Sequence, residues 1–327
     1  MLRRTAVLLT IVALLATRAA VGAEGAGKVY RLGYLSFWYS TSDSVQRLGF
    51  SEELRTRGYL EGERLVVERR YADGKIERLP DLAAELVRLR VDVIVAVSTP
   101  AGLAAKRATS TIPIVVAGSS DMVDSGLVTD TQRPGGNVTG VQFLRQQLVV
   151  RQMEILKQVV PNASRLGFLG NPDVPSDASF FRALERRAAA AAMSIELAPV
   201  RTDLDYRLTF ARLVDTRVQG LIVGPSITEI DASRSVVRMA AQNKLPTMYP
   251  GRQFVEAGGL ISYFADPADQ GRHVAVYVDK ILRGAAPAHL PVEQYASYVL
   301  AVNLRTAKAL NLTVPSALVE QAAAVFR

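Results

Sequence analysis

The chain has 327 residues, 49% of them hydrophobic, with no cysteine and a formal charge of +8. The missing cysteines exclude disulfides, a thiol nucleophile and thiolate metal sites, and the length suits two domains. The basic residues are scattered, which argues for a solvated arginine-rich surface rather than a nucleic-acid footprint.

Residues 1–23 read as a signal peptide. Arg3 and Arg4 make a charged start, Ala6 to Ala16 is apolar, and Val21-Gly22-Ala23 offers small residues for cleavage. The apolar stretch is short for a bilayer and Arg18 interrupts it, so cleavage is expected rather than anchoring. Without cysteine, a lipoprotein anchor after the signal is excluded, and a periplasmic location is expected. Removing the segment takes away Arg3, Arg4 and Arg18 and leaves a charge of +5.

Apolar runs then alternate with helical patterns. Val29–Leu35 predicts a buried strand, and a helix carrying Val45, Leu48 and Leu54 ends at Gly58. Arg64–Tyr71 alternates as a strand does. Ile76–Leu89 is a predicted helix, with Leu79, Leu82, Leu86 and Leu89 at helical spacing. Val91–Val97 is nearly all apolar, as a parallel strand covered on both faces should be. Thr99-Pro100 starts another helix, with the Thr99 hydroxyl as expected cap, and Ile112–Ala117 is the next strand.

A similar series follows. Strands are expected at Leu166–Gly170, Ile195–Val200, Gly220–Gly224 and Pro246–Tyr249, with helices between them. Corresponding runs lie roughly 130–135 positions apart. Three passages between the two series are expected, near Val138–Gln142, Leu260–Tyr263 and Ala286–Pro291. The pattern therefore predicts an α/β protein of two similar doubly wound parallel-sheet lobes joined by a three-strand hinge. Residues 28–140 plus 263–290 would form the first lobe, and 141–262 plus 291–327 the second.

In parallel α/β sheets, ligands sit beyond the carboxyl ends of the strands. That rule selects Ser36, Phe37, Trp38 and Tyr39 after the first strand, where an aromatic wall could stack on a flat ligand. Ser98 and Thr99 open a helix whose free N–H groups suit a carboxylate. Ser119 and Asp121 follow the next strand, and the aspartate could pair with an ammonium group. The equivalent loops of the second lobe offer Asn171, Ser226 and Tyr249. Asn171-Pro172 and Pro225-Ser226 are equally readable as ordinary turns, and Tyr249 as a buried core tyrosine.

Enzymatic readings find little to stand on. His273 falls in a predicted helix and His289 in a loop, neither with a second ligand at metal spacing. Gly118-Ser119-Ser120 is not a hydrolase nucleophile elbow, and no GxGxxG follows a strand. No catalytic residue, cofactor or metal is expected.

Several blocks, in order, resemble one family. They are Arg78-Leu79-Pro80-Asp81-Leu82-Ala83-Ala84-Glu85-Leu86-Val87, Val91-Asp92-Val93-Ile94-Val95-Ala96, Arg133-Pro134-Gly135-Gly136-Asn137-Val138-Thr139-Gly140 and Phe254-Val255-Glu256-Ala257-Gly258-Gly259-Leu260. Asn303-Leu304-Arg305-Thr306-Ala307-Lys308-Ala309-Leu310 continues the match. Together they resemble the ABC-transporter substrate-binding proteins that include the tryptophan- and tyrosine-linked members. The resemblance implies a type I periplasmic-binding-protein fold, capture of a small-molecule ligand, and delivery to an inner-membrane ABC permease with its ATPase. It implies no nucleic-acid partner, and a monomer is expected. An aromatic amino acid or an aromatic or carboxylic acid is the expected ligand.

The sequence departs from the family pattern at Met122, where proline is usual, and at Phe37-Trp38-Tyr39, which is rich in aromatics. Both are expected near the cleft, so ligand identity is not carried over from the family. Two rival readings stand beside it: a protein that presents ligand to a membrane sensor, and an exported α/β hydrolytic enzyme.

Overall fold

Runs that a parallel sheet buries on both faces build the first of two sheets. The computed structural model describes residues 28–40, 44–119, 122–143, 145–202, 204–227 and 230–327. The expected signal segment 1–23 and Asp121 lie outside them. β3 (Val93–Val97) is wholly buried. Its alternation serves two cores: Val93, Val95 and Val97 join one, Ile94 and Ala96 the other. Around it stand β1 (Tyr30–Ser36), β2 (Leu65–Tyr71), β4 (Ile114–Ser119), β5 (Val138–Phe143) and β11 (Glu293–Tyr295). The order is β11-β5-β4-β3-β1-β2, and every neighbouring pair is parallel.

Helices cover this sheet. α1 (Ser44–Thr56) and α9 (Pro267–Leu282) pack against each other on one face; α2 (Leu79–Arg88) and α3 (Thr99–Ala108) pair with each other. α2 buries Leu79 and Leu86 of the expected leucine stripe, with Ala83 between them, while Leu82 and Leu89 are half-buried against the same core. The expected start at Ile76 is instead a 3-10 turn, Ile76–Arg78, and the α-helix proper begins at Leu79 with Pro80 in its first turn. Proline lacks an N–H and fits where none is needed.

The second sheet holds β6 (Arg165–Gly170), β7 (Ser194–Pro199), β8 (Gly220–Val223), β9 (Thr247–Tyr249), β10 (Ile261–Ala265), β12 (Tyr298–Asn303) and β13 (Ala324–Phe326). Its order is β13-β12-β10-β9-β8-β6-β7, and only β10 and β12 pair antiparallel. The remaining helices are α4 (Arg145–Val159), α5 (Pro175–Ala190), α6 (Asp205–Asp215), α7 (Ile230–Gln242), α8 (Arg252–Glu256), α10 (Leu304–Ala309) and α11 (Ser316–Gln321). Two further cores flank this sheet, one gathered by Phe168 and Leu184, the other by Phe210 and Phe254.

The chain passes between the sheets later than the sequence pattern placed it. Val138–Gln142 is β5 itself, held between β4 and β11, and the passage follows Phe143. β10 continues in the second sheet to Ala265, and α9 then packs on α1. The third passage follows Tyr295, the last residue of β11, because Glu293–Tyr295 pairs with β5. These passages lie toward one edge of each sheet; β2 and β7 form the opposite edges. Two passages are tied together. The Tyr295 hydroxyl lies 3.1 Å from the Asp266 carbonyl oxygen and 3.0 Å from the Asp269 carboxylate. Asp266 itself caps α9, accepting from Ala268 N–H at 2.9 Å.

Candidate functional site

The carboxyl end of β1 turns sharply. The Ser36 Oγ accepts from the Trp38 N–H at 3.1 Å, and the Phe37 N–H donates to the Val97 carbonyl. Ser36 and Phe37 are buried. The Trp38 ring is half-buried and meets Phe37 edge-on at 4.9 Å, touching the cores on both faces of the sheet. Tyr39 is 43% exposed and is the member of the aromatic trio most open to solvent. Of the expected aromatic wall, Phe37 therefore serves mainly the core, while Trp38 and Tyr39 keep accessible surface.

Beyond β3 the backbone is unusual. Ser98 holds φ of 101° and ψ of 159°, a region that suits glycine. Its Oγ accepts from the Ala101 N–H, so Ser98 rather than Thr99 caps α3. That frees the Thr99 hydroxyl, which reaches across to the Ser119 Oγ at 2.9 Å. Ser119 is aimed by an irregularity: the β4–β5 register shifts between Ala117 and Ser119, with Gly118 at φ of 71°. Three expected residues, Ser98, Thr99 and Ser119, are thus gathered at adjacent strand ends. Met122, expected near the cleft, is fully buried in the core instead, and its N–H donates to Gln142 Oε1 at 3.0 Å.

At the second sheet, one residue that the sequence does not single out joins two of the expected positions. Asp177 stands in the first turn of α5 and is completely buried. Its Oδ2 accepts from the Asn171 N–H at 2.8 Å and from the Ser226 hydroxyl; its Oδ1 accepts from the Ser226 N–H at 3.0 Å. The two expected residues Asn171 and Ser226 are joined through this carboxylate. Asn171 also accepts from the Asp173 N–H through Oδ1, an Asx-type turn. Burial pushes the Asp177 carboxyl up to about 6, against the pull of the three hydrogen bonds. Gly170 and Gly224 make room for it: a Cβ on either would lie 2.8 or 2.9 Å from Oδ2. Glycines at the carboxyl ends of β6 and β8, with an aspartate just inside the helix that follows β6, were the available signal.

Tyr249 is 2% exposed and stacks on Phe254 at 5.1 Å inside the core, so it offers no open surface to a ligand in this conformation. Desolvation there holds its phenol well above the usual tyrosine value. His273 contacts Glu293 and stacks edge-on with Tyr295. Among the described residues, no group of three or more His, Asp and Glu side chains is placed to hold a metal ion, and no helix is long and apolar enough to cross a membrane.

The arrangement offers hydroxyls, backbone N–H groups and aromatic edges at strand ends. It is suited to holding a small polar or aromatic molecule. Comparison with known proteins agrees. The family model for ABC transporter substrate binding proteins matches residues 40–326. A tyrosine-binding protein of Clostridioides difficile is 25% identical over 264 residues, covering 81% of this chain and 76% of that protein. A Streptococcus pneumoniae domain solved with L-Trp superposes with a TM-score of 0.81 at 25% identity, covering 91% of this chain and 100% of that one. A ligand-free, open substrate-binding protein with adhesive properties from Clostridium difficile gives 0.69 at the same identity, covering 91% of this chain and 99% of that one.

Proposed function

Because the chain belongs to the ABC transporter substrate-binding protein family, we propose that it captures a small solute between two lobes outside the cytoplasmic membrane and delivers it to an ABC permease. The family is one of solute-binding proteins rather than of enzymes. The two sheets are the lobes, and the three passages between them are the hinge. Ligand that touches both lobes favours the closed form by its extra contacts there. The contrast in TM-score supports this reading: at equal identity, the chain lies nearer the tryptophan complex than the open, ligand-free relative.

The observation that carries the assignment is the family match over residues 40–326 joined to strand ends that gather Thr99 and Ser119 on one sheet and Asn171 and Ser226 on the other. The ligand class is an aromatic amino acid. The tyrosine-binding relative and the tryptophan complex support it, as do Trp38 and Tyr39 at the end of β1. The N–H groups of α3 would take the ligand carboxylate, and Asp121 its ammonium group. Export through cleavage of residues 1–23 places the receptor in the periplasm.

Mass spectrometry of the purified protein, followed by thermal shift against the twenty amino acids and benzoate, tests this. Tyrosine, tryptophan or phenylalanine is expected to raise the melting temperature in a concentration-dependent way. No shift with any of them, and no small molecule carried through purification, would remove the receptor assignment.

A further inference from the structure

Asp177 does more than fill a turn. It is the shared acceptor for two loops that arise far apart in sequence: β6–α5 through Asn171, and β8–α7 through Ser226. Both loops follow strands at the carboxyl edge of the second sheet, where the ligand is expected.

Among the described residues, this carboxylate makes no ion pair. Arg182 of α5 and Asp177 line the same small cavity of about 110 Å³, together with Phe168 of β6, Pro172, Phe181 and Leu197 of β7. On the loops nearby, Arg201 pairs with Asp173, and Asp205 accepts from the Arg201 and Thr202 N–H groups. None of these charged groups bonds to Asp177; its partners are the neutral donors of Asn171 and Ser226. No cation among the described residues bonds to it, so its hydrogen bonds alone favour the ionised form against burial.

We propose that Asp177 is the positioning residue of the second lobe's share of the ligand site, and that the protein retains its ligand when this carboxylate is ionised and releases it when the carboxylate is protonated. The inference rests on the receptor reading above. Ionised, Asp177 offers acceptors alone, and its bonds to the two backbone N–H groups are charge-assisted. Protonated, one oxygen becomes a donor, the bonds to the backbone weaken, and the loops carrying Asn171 and Ser226 are held less firmly. Because burial raises the carboxyl to about 6, the change falls within the range an exported protein meets. Linkage then requires that ligand binding expel a proton near that pH.

The test is isothermal titration of the mature chain with L-tyrosine and with L-tryptophan from pH 5 to pH 8, in two buffers of different ionisation enthalpy. Affinity is expected to fall roughly fivefold or more between the neutral and acid ends. Part of a proton should leave on binding near pH 6, and none at pH 8. Asp177→Asn should give a flat pH profile and no proton release. Should that variant fail to fold, amide resonances of Asn171 and Ser226 in the unmodified, ligand-free protein must titrate with a midpoint near 6. Binding without proton release, the same pH profile in both proteins, or amides that do not titrate would overturn the inference while leaving the receptor reading intact. Binding of neither amino acid at any pH would fell both.

Discussion

Ser98 shows how one residue can be kept at a cost. Its φ of 101° and ψ of 159° lie where only glycine is at ease, and such strain costs about 1–3 kcal/mol. The return in capping is small, since the bond from Ala101 N–H is 3.3 Å long. A hydroxyl retained there is best explained by the site it borders. Ser98→Gly is therefore expected to match or exceed the parent in urea unfolding while binding ligand more weakly. Ser98→Ala, which keeps the strain and loses this long cap bond, should be less stable by about 0.5 kcal/mol, the low end for a lost cap. The sequence shows that Ser98 and Thr99 end a buried strand, and so marks the place. It does not show which hydroxyl caps the helix, because that depends on a backbone angle serine rarely adopts. Asp177 escaped notice for a related reason: an aspartate in a first helical turn reads as ordinary until Gly170 and Gly224 are seen to crowd around it.

Between elements, α1 packs closely on α9, which returns to the first sheet after a long excursion of the chain through the second. At Gly49 the two helices touch: a Cβ there would lie 2.1 Å from the Ala268 carbonyl oxygen. Further along, Asp279 accepts from Arg57 at 3.0 Å, the Tyr59 hydroxyl at 3.0 Å and Arg283 at 2.6 Å. Burial pushes the Asp279 carboxyl upward, but these bonds outweigh it and hold the group below the usual carboxylate range. Gly49→Ala must push α9 outward against a backbone atom, so a loss of about 1–3 kcal/mol is expected. Because Ala268 adjoins the Asp266 cap at the second passage, ligand affinity should fall along with stability; calorimetry and titration of one preparation read both. The strands and most helices of this lobe are legible from alternation and helical spacing, since burial dictates both. Their passages are less so. β5, β10 and β11 continue a few residues beyond the turn-rich segments, because a neighbouring strand, which no local pattern reveals, still offers them hydrogen bonds.

In the whole molecule, two sheets are joined by three passages near one edge of each, and the loops of the proposed ligand site follow the strands' carboxyl ends. Tyr295 ties two of those passages through Asp266 and Asp269, so the lobes should move as units rather than bend internally. The sole tryptophan, Trp38, stands at the end of β1 and should report ligand through its fluorescence. Whether binding moves the lobes is read by small-angle X-ray scattering of the mature chain, with and without a saturating amount of the amino acid that gives the largest thermal shift. The radius of gyration should fall and the longest interatomic distances shorten when ligand is added. Identical scattering curves, with binding confirmed on the same sample, would contradict closure and leave a rigid binding protein in its place.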